Sequence, residues 1–201
     1  MSSSIRPGCA EPSDEDLNAL VTRLELAEKI SMLAGGSVWN TTAIDRLEIP
    51  SLKVFPPRSC VCCLPMHPLT RSQVTDGPNG ARGADFLDGV TAACFPSCVS
   101  IAATFNHNLS RRIGKALGQE AQTKGAYVLL GPTVCCHRSP LGGRNFEAFS
   151  EDPFLTGALA IEYVKGLQSE RVGATVKHFL ANEQDTRRFS VNEIISERAL
   201  R

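Results

Sequence analysis

Ala126-Tyr127-Val128-Leu129-Leu130-Gly131-Pro132-Thr133-Val134, followed by Arg138-Ser139-Pro140-Leu141-Gly142-Gly143-Arg144-Asn145-Phe146-Glu147, is the stretch that decides the fold. An apolar run of strand length leads into glycines flanked by an arginine, an asparagine and a glutamate. Glycine at such a point lets backbone approach a ligand closely. Polar groups gathered at the C-terminal end of a strand are where α/β barrels place their binding residues. Two further segments have the same character: Thr75-Asp76-Gly77-Pro78-Asn79-Gly80 and Ala174-Thr175-Val176-Lys177-His178-Phe179.

Outward from this stretch, helix signals alternate with the strands. Asn108 can cap a helix through Ile113, Ala116, Leu117 and Ala121, ending near Gly125. Ser150-Glu151-Asp152-Pro153 opens another, with Pro153 suited to the first turn and Phe154, Leu155, Leu159, Tyr163 and Leu167 as its apolar stripe. The strand expected over Ala174 to Phe179 follows. Strand, helix, strand order predicts parallel strands joined by crossover helices. Upstream, Ser13-Asp14-Glu15-Asp16 starts a helix carrying Leu17, Leu20, Val21 and Leu24. A short helix over Ala27 to Leu33 then stops at Gly35-Gly36. Arg46 to Val54 reads as loop then strand, with Pro50 between. Val191 to Arg201 reads as the beginning of a helix. No internal repeat is visible.

The length of 201 residues fits one domain or part of a larger one. Lys and Arg number 21, as do Asp and Glu, so the formal charge is zero. That balance argues against a nucleic-acid partner or an acidic membrane surface, either of which selects a basic excess. No apolar run approaches the roughly 18 residues that span a bilayer. Met1-Ser2-Ser3-Ser4-Ile5-Arg6-Pro7 lacks the apolar stretch of a signal peptide, so the expected location is cytoplasmic. Cys60, Cys62, Cys63 and His67 have zinc-binding chemistry but not a repeated Cys-x-x-Cys spacing, and incidental thiols are the expectation. They fall in Phe55 to Val74, a proline- and cysteine-rich stretch with neither secondary-structure period. A structureless run of that length is foreign to a compact domain.

Four residues carry the expected chemistry: Asp76, Arg144, Lys177 and His178. Asp76 at its turn has the alternative of bonding only its own backbone, and Arg144 that of a surface ion pair. Lys177 and His178 close a short apolar strand, where one side chain should face a barrel mouth. A carboxylate accepts two hydroxyl protons, while arginine and lysine only donate. Bonds to charged groups contribute roughly 1.5 to 3 kcal/mol each. This mixed-sign set suits a neutral polyol better than a phosphate. A rival chemistry makes Lys177 a Schiff-base nucleophile, which needs burial or a nearby cation to supply a neutral amine.

The chain closely resembles the N-terminal part of a fungal β-glucosidase of glycoside hydrolase family 3, from about Asp14 to Arg201 with Phe55 to Val74 left out. The carriers begin with Glu28-Lys29-Ile30, Leu33-Ala34-Gly35-Gly36 and Thr75-Asp76-Gly77-Pro78-Asn79-Gly80-Ala81-Arg82-Gly83. They continue with Phe95-Pro96, Ala102-Ala103-Thr104-Phe105-Asn106, Leu117-Gly118-Gln119-Glu120 and the Arg138 to Glu147 run. They close with Ser150-Glu151-Asp152-Pro153, Lys177-His178-Phe179, Asn182-Glu183-Gln184 and Ser196-Glu197-Arg198-Ala199-Leu200-Arg201.

The resemblance implies an α/β fold, an incomplete (β/α)8 TIM-type barrel over residues 14–201. It is interrupted by an atypical insert at 55–74 and preceded by a disordered N-terminus at 1–13. It implies β-glucosides or cello-oligosaccharides as ligands, with the terminal glucose bound by Asp76, Arg144, Lys177 and His178, and no cofactor. It also implies a retaining mechanism through a covalent glycosyl-enzyme. The family's nucleophile is an aspartate in a Ser-Asp-Trp-type motif downstream of the Lys-His pair, and its acid/base glutamate comes from a later α/β domain. The single tryptophan here is Trp39, outside any such motif. The expectation is therefore a set of binding residues without the catalytic pair, inactive alone, with a non-catalytic sugar-binding remnant as the alternative. Secretion, as in many family members, is the alternative location. The insert at 55–74 is expected to be translated intron. Cys135-Cys136-His137 departs from the polar-aliphatic residues usual at that place.

Overall fold

A computed structural model of the chain describes residues 13–34, 36, 41–51, 73–82 and 91–201. It divides into two units, Met1–Leu52 and Lys53–Arg201. The residues 1–12, the body of the expected insert and its cysteines and histidine lie outside the described residues.

In the first unit, α1 (Asp14–Arg23) begins where expected. The Asp16 backbone N–H donates to Ser13 Oγ at 3.1 Å, and the Ser13 N–H donates to the Asp16 carboxylate at 3.0 Å. This reciprocal cap satisfies two otherwise orphaned donors. The second helix, α2 (Leu26–Leu33), starts one residue before the expected Ala27. Its Glu28 carboxylate accepts the Glu25 N–H at 2.9 Å. Residues 41–51 form a tight turn in which Ile44 and Ile49 bridge antiparallel around a 3-10 turn, Asp45–Leu47. The strand expected after Pro50 falls mainly outside the described residues. Leu24, Ile44 and Leu47 form this unit's small buried cluster.

The second unit is built on three parallel strands in the order β1 (Gln73–Asp76), β2 (Ala126–Leu130), β3 (Gly173–Ala174). Thr75 pairs with Leu129, Asp76 with Leu130, and Leu129 with Ala174. Strand β1 takes in Gln73 and Val74, the last two residues assigned to the insert. Between β1 and β2 run α3 (Cys98–Ala102) and α4 (His107–Thr123); between β2 and β3 runs α5 (Pro153–Ser169).

The long helices form because their ends and faces agree. At α4 the cap is Asn106, not Asn108: its side chain accepts the Leu109 N–H at 3.0 Å. Asn106 has the extended backbone that lets its side-chain oxygen reach the free N–H groups of the first turn, whereas Asn108 already lies inside the helix. At α5, Asp152 accepts the N–H groups of Phe154 and Leu155 at 3.1 Å each, and Pro153 gives up a donor that has no helical partner. Leu159, Tyr163 and Leu167 are buried at four-residue spacing. Phe154 does not belong to that stripe; it is 83% exposed, one residue out of phase with Leu155.

Helices α4 and α5 touch backbone to backbone. A Cβ at Gly114 would lie 2.2 Å from the Tyr163 carbonyl oxygen, and one at Gly166 would lie 2.2 Å from that of Arg111. The core over the sheet joins Leu129, Ile101, Leu117, Phe149, Leu159, Tyr163 and Leu167.

Two further expectations are corrected. The strand expected over Ala174 to Phe179 is shorter, because the ladder is broken opposite Pro132, which has no N–H to donate. Beyond Ala174 only a single bridge remains, Thr133 with Lys177, where Lys177 N–H donates to the Pro132 carbonyl at 2.9 Å and Val134 N–H to the Lys177 carbonyl at 2.7 Å. Phe179 is 94% exposed. The helix expected from Val191 is confined to α6 (Glu197–Leu200), capped by Ser196.

Candidate functional site

The C-terminal ends of the three strands carry the site. Asp76 is the last residue of β1. Arg144 and Glu147 sit in the loop after β2, and Lys177 and His178 follow β3. Each is fixed locally. Gly77, at φ +117, turns the chain away from Asp76; a Cβ there would lie 2.0 Å from the Gly80 carbonyl oxygen. Asn145 shapes the loop around Arg144, its amide donating to the Ser139 carbonyl at 2.7 Å and its N–H to the Gly142 carbonyl at 3.2 Å. The bridge to Thr133 holds Lys177 beside the end of β2. Behind the β1 loop, the Tyr163 hydroxyl donates to the Pro78 carbonyl at 2.8 Å. The Glu120 carboxylate of α4 accepts the N–H groups of Ala81 at 2.8 Å and Ala93 at 2.6 Å.

These supports bring Asp76, Arg144 and Lys177 into one charged network. Lys177 Nζ lies 2.9 Å from Asp76 Oδ1 and 3.7 Å from Glu147 Oε2. Arg144 binds Glu147 through two parallel bonds, Nε to Oε1 at 2.9 Å and Nη2 to Oε2 at 2.7 Å. Arg82 Nη2 stands 3.8 Å from Asp76 Oδ2, and Gly77 N–H donates to Asp76 Oδ1 at 2.9 Å. Asp76 thus makes the backbone contact its turn suggested and also the long-range one. His178 stands apart from the bonded network: its Nδ1 is 3.6 Å from Cys135 Sγ.

The electrostatics follow from this wiring. Burial opposes the charge on Asp76, but the bond from Lys177, the Lys177 charge, the Gly77 N–H and Arg82 outweigh it and hold the carboxyl below its usual range. Burial likewise opposes the charge on Glu147; the bonds from Arg144 and the Lys177 charge overcome it, so its pKa is also lowered. The Glu147 carboxylate in turn raises the Arg144 guanidinium. Burial, with Arg144 and Lys177 nearby, lowers His178 and favours the neutral imidazole.

The network holds two carboxylates and three cations, Arg82, Arg144 and Lys177, so it can accept from some hydroxyls and donate to others. Lys177 sits in it as a cation with counter-ions on two sides. Both groups paired with Lys177 Nζ are carboxylates, not the neighbouring cation that the Schiff-base alternative calls for.

Sequence reasoning passed over Glu147, which joins Arg144 to Lys177. The signal was present: a carboxylate three residues after Arg144, within reach across one turn. It also missed the Cys135–His178 contact, which no spacing announces. Among the described residues, no group of three or more His, Cys, Asp or Glu could hold a metal ion. Cys60, Cys62, Cys63 and His67 lie outside them. No helix among the described residues is long and apolar enough to cross a membrane.

The sequence signature of the glycosyl hydrolase family 3 N terminal domain matches residues 80–191, more than half of the chain. Beta-glucosidase B of Emericella nidulans is 51% identical over 185 residues, covering 92% of this chain and 20% of that protein. A crystal structure of beta-glucosidase from Kluyveromyces marxianus in complex with glucose superposes with a TM-score of 0.66 at 42% identity, covering 86% of this chain and 18% of that one. Beta-glucosidase 3B from Thermotoga neapolitana in complex with alpha-D-glucose gives 0.61 at 34% identity, covering 84% of this chain and 23% of that one. The chain spans about a fifth of the length of the curated relatives it matches. The parallel β/α steps of the second unit are those of the incomplete (β/α)8-type barrel expected from the sequence.

Proposed function

Because this chain belongs to glycosyl hydrolase family 3, we propose that it carries the glucose-binding side of a β-glucosidase site, with Asp76, Arg144, Lys177 and His178 as the sugar contacts and Glu147 as the residue that orients two of them. The full protein then hydrolyses terminal non-reducing β-D-glucosyl residues of β-glucosides or cello-oligosaccharides.

The observation that carries this reading is the Lys177 ammonium held 2.9 Å from Asp76 and 3.7 Å from Glu147. An acceptor and a donor side by side match neighbouring hydroxyls of a pyranose, each of which donates one proton and accepts another. Both partners are charged, which makes each such bond stronger than a neutral one. The close charge pairs also fix the rotamers before sugar arrives, so less ordering is left for binding to oppose.

Retaining hydrolysis needs a carboxylate nucleophile and a second carboxyl as acid/base. In our reading neither is among Asp76 and Glu147. Both are engaged by cations, and an acid/base group needs a raised pKa rather than a lowered one. This chain alone is expected to bind glucose and not to turn over a glucoside.

The test is calorimetric titration of the 201-residue chain with glucose, beside a chromogenic β-glucoside assay. Saturable binding that Asp76→Asn and Arg144→Met each weaken, with no hydrolysis, is the expected result. No binding at millimolar glucose, or binding indifferent to both substitutions, sinks the proposal.

A further inference from the structure

Cys135 lies next to the sugar contacts but takes no part in the hydroxyl chemistry argued above. Its sulfur accepts the His178 backbone N–H at 3.5 Å and stands 3.6 Å from His178 Nδ1. Cys135, His178, Arg144 and Thr133 line one small cavity of about 20 Å³, room for roughly a single water. Thr133 is only 3% exposed, and its hydroxyl finds no hydrogen-bond partner among the described residues. A buried hydroxyl left in that state marks a place where an added polar atom is stabilised. The cavity thus has a soft nucleophile, a base within contact, a guanidinium and an unsatisfied hydroxyl.

The other described cysteines differ in ways that matter. Cys98 is fully buried, and burial, with Glu147 nearby, pushes its thiol up to about 12. Cys136 is raised by burial and by the Glu183 carboxylate. Cys94 is exposed.

We propose that Cys135 is a thiol-modification site at the edge of the pocket, assisted by His178 and taking small organic disulfides. The step is thiol–disulfide exchange. His178 Nδ1 accepts the Cys135 thiol proton as the sulfur attacks one sulfur of RS–SR. The Cys135 Sγ–S bond forms, the S–S bond of the reagent breaks, and RS⁻ leaves and takes up the proton from the imidazolium. One thiol is consumed and one released, and the reagent is the oxidant. The groups facing the imidazole are Arg144 and Lys177, which favour its neutral form, and Glu147 and Asp76, which oppose them. The cavity admits nothing larger than water, so the added group lies outside it, beside the Arg144 and His178 that share its lining. On the sugar-pocket reading, and only on it, this excludes glucose.

The experiment exposes the 201-residue chain to limiting cystamine and maps each cysteine by peptide mass spectrometry. Cys135 is expected to carry the adduct about tenfold faster than Cys136, with Cys98 unlabelled. His178→Gln is expected to slow Cys135 by about tenfold while Cys94 keeps its rate. Equal rates at Cys135 and Cys136, or a Cys135 rate indifferent to His178→Gln, overturn the proposal. Labelling of Cys98 in that variant reports a fold that has opened. The decision then passes to the pH–rate profile of the unsubstituted chain. A rise of Cys135 labelling through the imidazole range below pH 6.5 supports His178 assistance; a rise confined to the alkaline thiol range overturns it. Glucose is expected to slow Cys135 and not Cys94. His178-dependent labelling that ignores glucose keeps the thiol assignment and sinks the sugar pocket instead.

Discussion

Asp76 and Lys177 are 101 residues apart in sequence and meet at 2.9 Å, joining the end of β1 to the segment after β3 across the end of the strand between them. The pair is lopsided: the Lys177 side chain is 13% exposed and that of Asp76 37%. The buried partner is the one that depends on the contact.

Replacing Lys177 with Met is therefore expected to destabilise the second unit by about 1.5 to 3 kcal/mol, since it leaves two carboxylates facing one another. Asp76→Asn should cost less, because Glu147 at 3.7 Å still faces Lys177 and the amide oxygen can still accept from it. Urea denaturation checks both. A midpoint unchanged by Lys177→Met contradicts the ion-pair geometry.

Acid should weaken the fold in a defined window. The Asp76 and Glu147 pKa values are lowered on folding, so the unfolded chain takes up protons first. Their contribution is fully present above the ordinary carboxylate values of 3.8 and 4.5 and is lost as pH falls through the lower folded values. His178 adds a loss of the same sign starting below 6.5, because its imidazole resists the charge when folded. Stability measured against pH should show both phases. Glu147→Gln should reduce the acid phase, leaving the Asp76 part of it and the phase that begins near 6.5.

The helix contact gives a prediction with a built-in control. Gly114→Ala and Gly166→Ala push a methyl into opposing backbone, which cannot rotate away, and should each cost about 1 to 3 kcal/mol. Gly157 on the same helix α5 has nothing within 4 Å of an added Cβ. Gly157→Ala should stabilise by up to about 1 kcal/mol through helix propensity. Thermal melts of the three variants decide it, and equal effects would mean that the helices do not touch as described.

The Tyr163 hydroxyl ties α5 to the loop that follows Asp76. Tyr163→Phe should cost about 1 kcal/mol for the lost bond to the Pro78 carbonyl. It should also weaken glucose binding several-fold without touching a sugar contact. Titration of that variant at unchanged affinity would separate the loop from the site.

How much of this the sequence reveals depends on the range of the interaction. Strand β2, the start of α1 and the Asp152-Pro153 start of α5 are written in adjacent residues, and they form as read. The sequence offers Asn108 as the α4 cap because two asparagines lie two residues apart, and only the extended backbone at Asn106 separates them. The strand after Ala174 was drawn too long because Pro132, more than forty residues away, removes the donor it needed. Asp76, Arg144 and Lys177 were legible singly, since each closes a motif at a strand end. Their assembly was not, because Glu147, which joins Arg144 to Lys177, stands in the sequence only as the last of several polar residues in the Arg138 to Glu147 run. Pairing that rests on contacts across 40 or 100 residues leaves no local signature.

Glu120 accepts N–H groups from both Ala81 and Ala93, and Lys124 donates to it at 3.0 Å and to the Ala81 carbonyl. One carboxylate on a long helix thus fastens both ends of the excursion that follows Asp76. The load on that loop is thereby carried by α4 at Ala81 and Ala93, so the bearing of Asp76 on β1 rests on a side chain 39 residues beyond Ala81.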